Sequence, residues 1–190
     1  MPTVNLLPDE DHANDPAWTL STGSDIWALL DDDHTSTPTG DGSLISATAQ
    51  GKVCDIGFQS LADVGVATED IDTIDSVQGV IKANVYERGK SYELRMQIIR
   101  GADGGLHWDW DTTGSINSSG SWNTHTFTQR DGYASGQTGW SGSMIDAIRM
   151  NFQLYSLTAG GTMRVTYAYF IVGYTSAVTA DNATFFGTNF

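Results

Sequence analysis

The sequence predicts an all-β protein: an antiparallel β-sandwich, jelly-roll-like, with about eight strands and an extended arm at each end. Three observations carry that expectation. Apolar and polar residues alternate with a period of two in several separate runs, the pattern of strands that bury one face. Turns rich in Gly, Ser and Thr separate these runs, and no stretch sustains the period of a long helix. Finally, 21 glycines, 11% aromatic residues and only 17% charged residues suit short strands joined by turns. A length of 190 residues fits one domain and is enough to bury a substantial core.

The strongest alternation runs from Asp75 to Arg100. Val77, Gly79, Ile81, Ala83 and Val85 share one face, and Tyr92, Leu94, Met96 and Ile98 share another. Arg88-Gly89 between them offers a residue for positive φ, so the segment reads as a hairpin. Its apolar face needs a cover, and Gly160 to Tyr174 is the best candidate to supply it. Ile81, Val85, Leu94, Met96, Ile98, Phe152, Val165 and Tyr167 are the expected core between the sheets.

The remaining elements follow in order. Residues 1–16 read as an N-terminal arm, with Leu6 and Leu7 as its apolar contact points. The domain spans 17–174. Trp18 to Leu30 holds one or two short strands, and Leu44 to Thr48 and Lys52 to Leu61 hold further ones. Ala62 to Thr73 is an acidic surface connection. Gly101 to Ser121 is a long polar excursion carrying Trp108 and Trp110. Trp122 to Gln129 alternates again, and a helical turn leads into Ala147 to Tyr155. Thr158 to Gly161 turns that strand into the last one, so that 147–155 pairs with 162–174. Residues 175–190 form a C-terminal arm with three aromatics, Phe185, Phe186 and Phe190, which either docks on a partner or folds back on its own domain.

Charge narrows the functional classes. Nine Lys and Arg face 23 Asp and Glu, a formal net charge of −14, which repels phosphate backbones and predicts no nucleic-acid partner. No stretch has the length of a membrane helix, and the N-terminus lacks the basic and apolar regions of a signal peptide. Cys54, the single cysteine, lies in an alternating run and reads as a small buried apolar residue.

Several constellations bear on chemistry. Asp31, Asp32 and Asp33, with Asp41, offer oxygens for calcium, but adjacent acids on an extended chain do not point one way, and a solvated loop is the better reading. His107, Asp109, Asp111 and His125 lack a compact ligand spacing. Trp108, Trp110, Trp122, Tyr133 and Trp140 compare with a sugar-binding platform, of which Trp108 and Trp110 are the loop-borne pair. No nucleophile elbow, phosphate loop or dinucleotide fingerprint is present, so neither an enzyme nor a cofactor is expected.

Certain segments carry a resemblance. They are the Trp18-led opening ending in Leu30 to Asp33, the acidic spacer ending Ile74 to Val77, and Val80 to Arg100. Ile145 to Met150 after Trp140, and Gly161 to Tyr167, complete the set. Over residues 18–174 this pattern resembles β-sandwich proteins of tailed-bacteriophage virions, similar to jelly-roll head decoration or cement proteins. The resemblance implies a structural virion protein, assembled in the bacterial cytoplasm and holding the capsid shell by non-covalent contacts. Its partners would be the major capsid protein or other virion subunits, and a homo-oligomer is implied. Leu6, Leu7, Phe185, Phe186 and Phe190 would be the contact residues. The alternative is a tail- or fibre-associated receptor or carbohydrate-binding module using Trp108 and Trp110.

Overall fold

The computed structural model describes residues 1–14, 18–31, 43–100, 110–117, 120–131 and 139–177. Twelve strands make two antiparallel sheets, which face each other across one core. The first sheet contains β1 (Thr3–Leu6), β3 (Thr19–Leu20), β4 (Ile45–Ala47), β6 (Ile71–Val85), β10 (Asn123–Thr126) and β12 (Met163–Ser176). The second contains β2 (Pro8–Asn14), β5 (Val53–Phe58), β7 (Ser91–Arg100), β8 (Asp111–Thr112), β9 (Ile116–Asn117) and β11 (Ile148–Leu157). The all-β, jelly-roll-like sandwich is thus the architecture that the alternation predicts. The strands exceed the expected eight because several are only two to four residues long.

Four expectations need correction. The Asp75 to Arg100 segment is not a hairpin: β6 and β7 belong to opposite sheets. Gly89 does adopt the positive φ the turn needs, at 75°, but the turn carries the chain across the core. Alternation reports that a face is buried and not which strand lies alongside, so a hairpin and a sheet crossing look alike in sequence. The same holds for β11 and β12, which do not pair with each other. β12 instead lies beside β6, and β11 lies between β5 and β7.

The N-terminal arm is the third correction. β1 pairs with β12 from Thr3↔Gly173 to Leu6↔Phe170, and β2 pairs with β5. Leu6 is 0% exposed inside the core, and Leu7 is half-buried at the crossing between sheets. Leu6 is therefore not left for a partner. Asp11 also ties β2 to the next segment, accepting the amides of Ile26 and Trp27 at 2.8 and 2.9 Å.

Tyr167 is the fourth. It is buried, at 4% exposure, yet it is not part of the core between the sheets. A β-bulge between Val165 and Tyr167 adds one residue to β12 and reverses the side-chain parity. Val165 therefore points inward, Tyr167 outward, and Ala168, Phe170 and Val172 inward again. On the outer surface Tyr167 lies beneath Lys82, whose Nζ is 5.1 Å from the ring centroid. β12 also continues to Ser176, past the boundary expected at 174.

The other predicted core positions, Ile81, Val85, Leu94, Met96, Ile98, Phe152 and Val165, are all within 2% of complete burial. Cys54 is buried as expected. Trp18 meets Phe152 edge to face at 5.7 Å, and Phe58 meets Phe170 at 4.6 Å, so aromatic contacts join the sheets. Ile81 and Leu94 come from opposite sheets of this core. Truncating either to Ala is expected to cost about 2–5 kcal/mol in urea unfolding. An unchanged midpoint for both would refute this packing.

One polar pair crosses the interior. Tyr92 Oη and His125 Nε2, from β7 and β10, lie 2.7 Å apart, with Tyr92 0% and His125 8% exposed. Burial holds the imidazole down at about 4 and pushes the phenol up to about 12. Below its ordinary value near 6.5, the unfolded chain takes a proton at His125 that the folded chain refuses. Stability from this group is therefore complete at neutral pH and is lost as the pH falls from about 6.5 toward 4. Comparing urea midpoints of the protein and His125→Gln at pH 7 and pH 4.5 isolates it. The acid-induced loss should be smaller in the variant, and equal losses would show that the ring is not held neutral.

Candidate functional site

The two outer faces differ. On the first sheet, Val80, Tyr167, Tyr169 and Ile171 dominate, and Arg164 lies over Tyr86 at 4.0 Å. On the second sheet, the strand registers assemble a polar strip. Asn151 of β11 stands between Asp55 of β5 and Gln97 of β7. In the next row Gln153 stands between Val53 and Arg95, and Arg95 is opposite Thr112 of β8. In the row on the other side, Arg149 stands between Gly57 and Ile99. These side chains point away from the core because their neighbours Ile148, Met150, Phe152 and Leu154 point into it.

An aromatic clamp closes one end of the strip. The Arg95 guanidinium carbon lies 4.3 Å from the Trp110 ring centroid and 4.7 Å from that of Tyr155. The rings are held by a cation between them, an arrangement that desolvation strengthens. Tyr155 is 50% exposed, one of the few exposed large apolar side chains among the described residues. It reaches solvent at a register shift in β11 between Leu154 and Ser156.

The opposite end is charged. Arg149 Nη1 is 3.4 Å from Asp55 Oδ2, and His12 Nε2 is 3.4 Å from Glu10 Oε2. Gly57 fits beneath His12: a Cβ there would stand 3.0 Å from Nε2. Asp55 is only 6% exposed although it faces outward, so the middle of this face is recessed. Burial pushes its carboxyl up from the ordinary range, with Arg149 and His12 opposing the shift.

Among the described residues, Arg95 Nε, Arg149 Nε and Asn151 Oδ1 are buried without a hydrogen-bond partner, and all three lie on this one face. Buried polar atoms are ordinarily satisfied, and leaving one unmade costs about 1–3 kcal/mol. Trp18 Nε1 and Asn84 Oδ1, away from this face, also lack a partner.

Among the described residues, Trp110 is the one predicted platform residue that the structure brings into this site. Trp140 is buried, with Nε1 donating to the Arg130 carbonyl at 3.1 Å, and Trp122 is half-buried next to β10. Trp108, Tyr133, His107, Asp109, Asp32, Asp33, Asp41, Phe185, Phe186 and Phe190 fall outside the described residues. Asp111 accepts the Thr128 amide at 2.6 Å and the Thr112 amide at 2.9 Å, while His125 is engaged by Tyr92. They do not form a joint ligand set, and no group of three or more potential metal ligands occurs among the described residues. A cleft of about 320 Å³ lies between β8 and β10, lined mainly by threonine hydroxyls, with Asp111 as its carboxylate. Gln97, Asn151, Gln153, Arg95 and Tyr155 were the missed residues. Each was visible as the polar half of an alternation, but only the register places them side by side.

The architecture and this face define a β-sandwich with a recessed, aromatic-ended polar surface. No protein-family profile matches the chain, and no curated protein matches it. Solved structures do show similarity. One is the carbohydrate-binding module CBM6cm-2 from Cellvibrio mixtus lichenase 5A in complex with cellotriose. It is 12% identical with a TM-score of 0.40, over 90% of this chain and 97% of that one. Another is the CBM22-1 xylan-binding domain from Paenibacillus barcinonensis Xyn10C, 11% identical with a TM-score of 0.41, over 87% of this chain and 96% of that one. The enzymatically active domain of bacteriophage CBA120 tailspike protein 4 is 15% identical with a TM-score of 0.37, over 84% of this chain and 20% of that one. At such TM-scores the fold assignment rests on the strand pairing itself.

Proposed function

We propose that this chain is a non-catalytic carbohydrate-binding module whose glycan lies across the outer face of the second sheet. The observation that carries this reading is the coincidence of Trp110 and Tyr155 with buried, unpartnered polar atoms and the amides of Gln97, Asn151 and Gln153. A sugar ring has an apolar face that stacks on aromatic carbon and a rim of hydroxyls that both donate and accept. Side-chain amides offer both roles at fixed positions, and a recess raises the worth of each hydrogen bond. This favours the carbohydrate alternative of the sequence reading, with Trp110 retained and the remaining contacts newly assigned.

The test is retention in affinity gels cast with a panel of soluble plant, algal and bacterial-surface polysaccharides. At least one polysaccharide is expected to retard the protein. Trp110→Ala or Tyr155→Ala should weaken that retardation roughly tenfold, the loss of one stacking contact of about 1.4 kcal/mol. Tyr86→Ala, on the other sheet's outer face, should leave it unchanged. No retardation by any polymer, or full retention by Trp110→Ala, rejects the assignment.

A second reading, a structural virion protein adhering to a capsid shell, is favoured by one observation. The last described strand ends at Ser176, and the Ala177 amide donates to the Asp70 carbonyl at 2.8 Å. Phe185, Phe186 and Phe190 all follow that closing contact in sequence. Deletion of residues 178–190 should then leave the melting transition intact while lowering oligomerisation or incorporation into particles. A truncated chain that incorporates as the full chain does would remove this reading.

A further inference from the structure

We infer that the glycan bound by this face carries a carboxylate, as a uronic acid does, and that Arg95 receives it. The inference rests on the carbohydrate reading above and adds the chemical class of the ligand. Its basis is the state of the Arg95 guanidinium. Trp110 covers one side of it at 4.3 Å and Tyr155 packs against it at 4.7 Å. A guanidinium packed between rings keeps its hydrogen-bonding capacity in its own plane, where five N–H groups radiate from the edge. Among the described residues no oxygen accepts from that edge and no carboxylate forms an ion pair with it. Its Nε is buried and unpartnered.

Two other arginines show the contrast, in a chain of 23 acidic and nine basic residues. Arg130 stands 3.9 Å from Asp111, and Arg149 stands 3.4 Å from Asp55. The acid nearest to Arg95 along its own strand face is Glu93. Glu93 Oε1 accepts a short hydrogen bond from Thr112 Oγ1 at 2.5 Å. Glu93 thus lies beside Arg95 on the same face, bonded to Thr112 and without an ion pair to the guanidinium, while Arg95 is held between the rings with its edge free. A neutral hydroxyl would satisfy one N–H, whereas a planar carboxylate matches two at once and neutralises the charge. The row neighbours suit the rest of such a sugar: Gln153 adjoins Arg95 on one side and Thr112 on the other. Asp55 does not oppose the ligand's charge at this point, because it lies in a different row and is held by Arg149.

The experiment is a binding panel on the full chain with hexasaccharides of matched length. Galacturonate, glucuronate and mannuronate oligomers represent the carboxylates. Xylo-, cello- and manno-oligomers are the neutral set, and a sulfated galactan oligomer is the other anion. Titration calorimetry is expected to give at least one uronate oligomer roughly ten- to a hundredfold tighter than every neutral one, the range for a charge-assisted hydrogen bond. Arg95→Gln should abolish that preference while leaving residual binding through Trp110. Arg95→Lys, which keeps the charge but loses the fork, should recover part of it. If Arg95→Gln does not melt cooperatively, the lysine variant carries the comparison, and an undiminished uronate preference in it overturns the paired-donor geometry. Equal binding of neutral and acidic oligomers overturns the inference and leaves the carbohydrate reading standing. Preference for the sulfated oligomer overturns the carboxylate assignment. Binding to none of them, together with no retention in the polysaccharide gels, removes both readings.

Discussion

Everything in this fold depends on β12 having a strand on both edges along most of its length. On one edge it pairs with β6, from Met163↔Val85 to Ser176↔Ile71. On the other it meets β4, then the Asp31 backbone, then β1 in succession. Its inward residues supply a continuous stripe to the core, from Met163 to Val172. Three separate stretches of the first third of the chain are thus fixed by one strand near its end. Such pairings between distant segments bring large loop-closure costs, so they form only when the apolar faces of both sheets come together. The outer faces inherit their order from that event, because each strand's inward register also fixes which side chains point out.

How much of this was legible follows from what alternation encodes. It encodes parity, and parity was read correctly for β6, β7 and β11, whose inward residues are those expected. It does not encode pairing, so two sheet crossings read as hairpins. It also fails where a single residue is added. Counting in twos from Val165 puts Tyr167 inside, and the bulge between them puts it outside. The N-terminal segment was opaque for another reason. Its Pro, Asp and Glu residues mark an edge strand as readily as a loose arm, since β2 has a partner, β5, on one side only.

The candidate site was less legible than the core, and the reason is geometric. Trp110 stood out by itself as an aromatic residue in a polar excursion. Arg95 and Tyr155 did not, since an Arg and a Tyr on the polar side of two strands are common surface residues. They become a clamp because β7 and β11 are neighbours and because β11 shifts register at Tyr155. Gln97 and Asn151 likewise gain meaning only as partners in one row.

The electrostatics of the face bear on which ligand charge it tolerates. A formal net charge of −14 opposes any anion at long range. At physiological ionic strength the screening length is about 8 Å, so charges beyond the immediate rows contribute little at the strip itself. Within it the balance is set by neighbours. Burial pushes the Asp55 carboxyl up from its ordinary range, with Arg149 and His12 opposing the shift. The Arg95 guanidinium is packed against the electron-rich faces of Trp110 and Tyr155. Those faces stabilise a cation without cancelling it. The clamp therefore holds a positive charge at one end of the polar strip, the charge to which the carboxylate proposed above would be complementary.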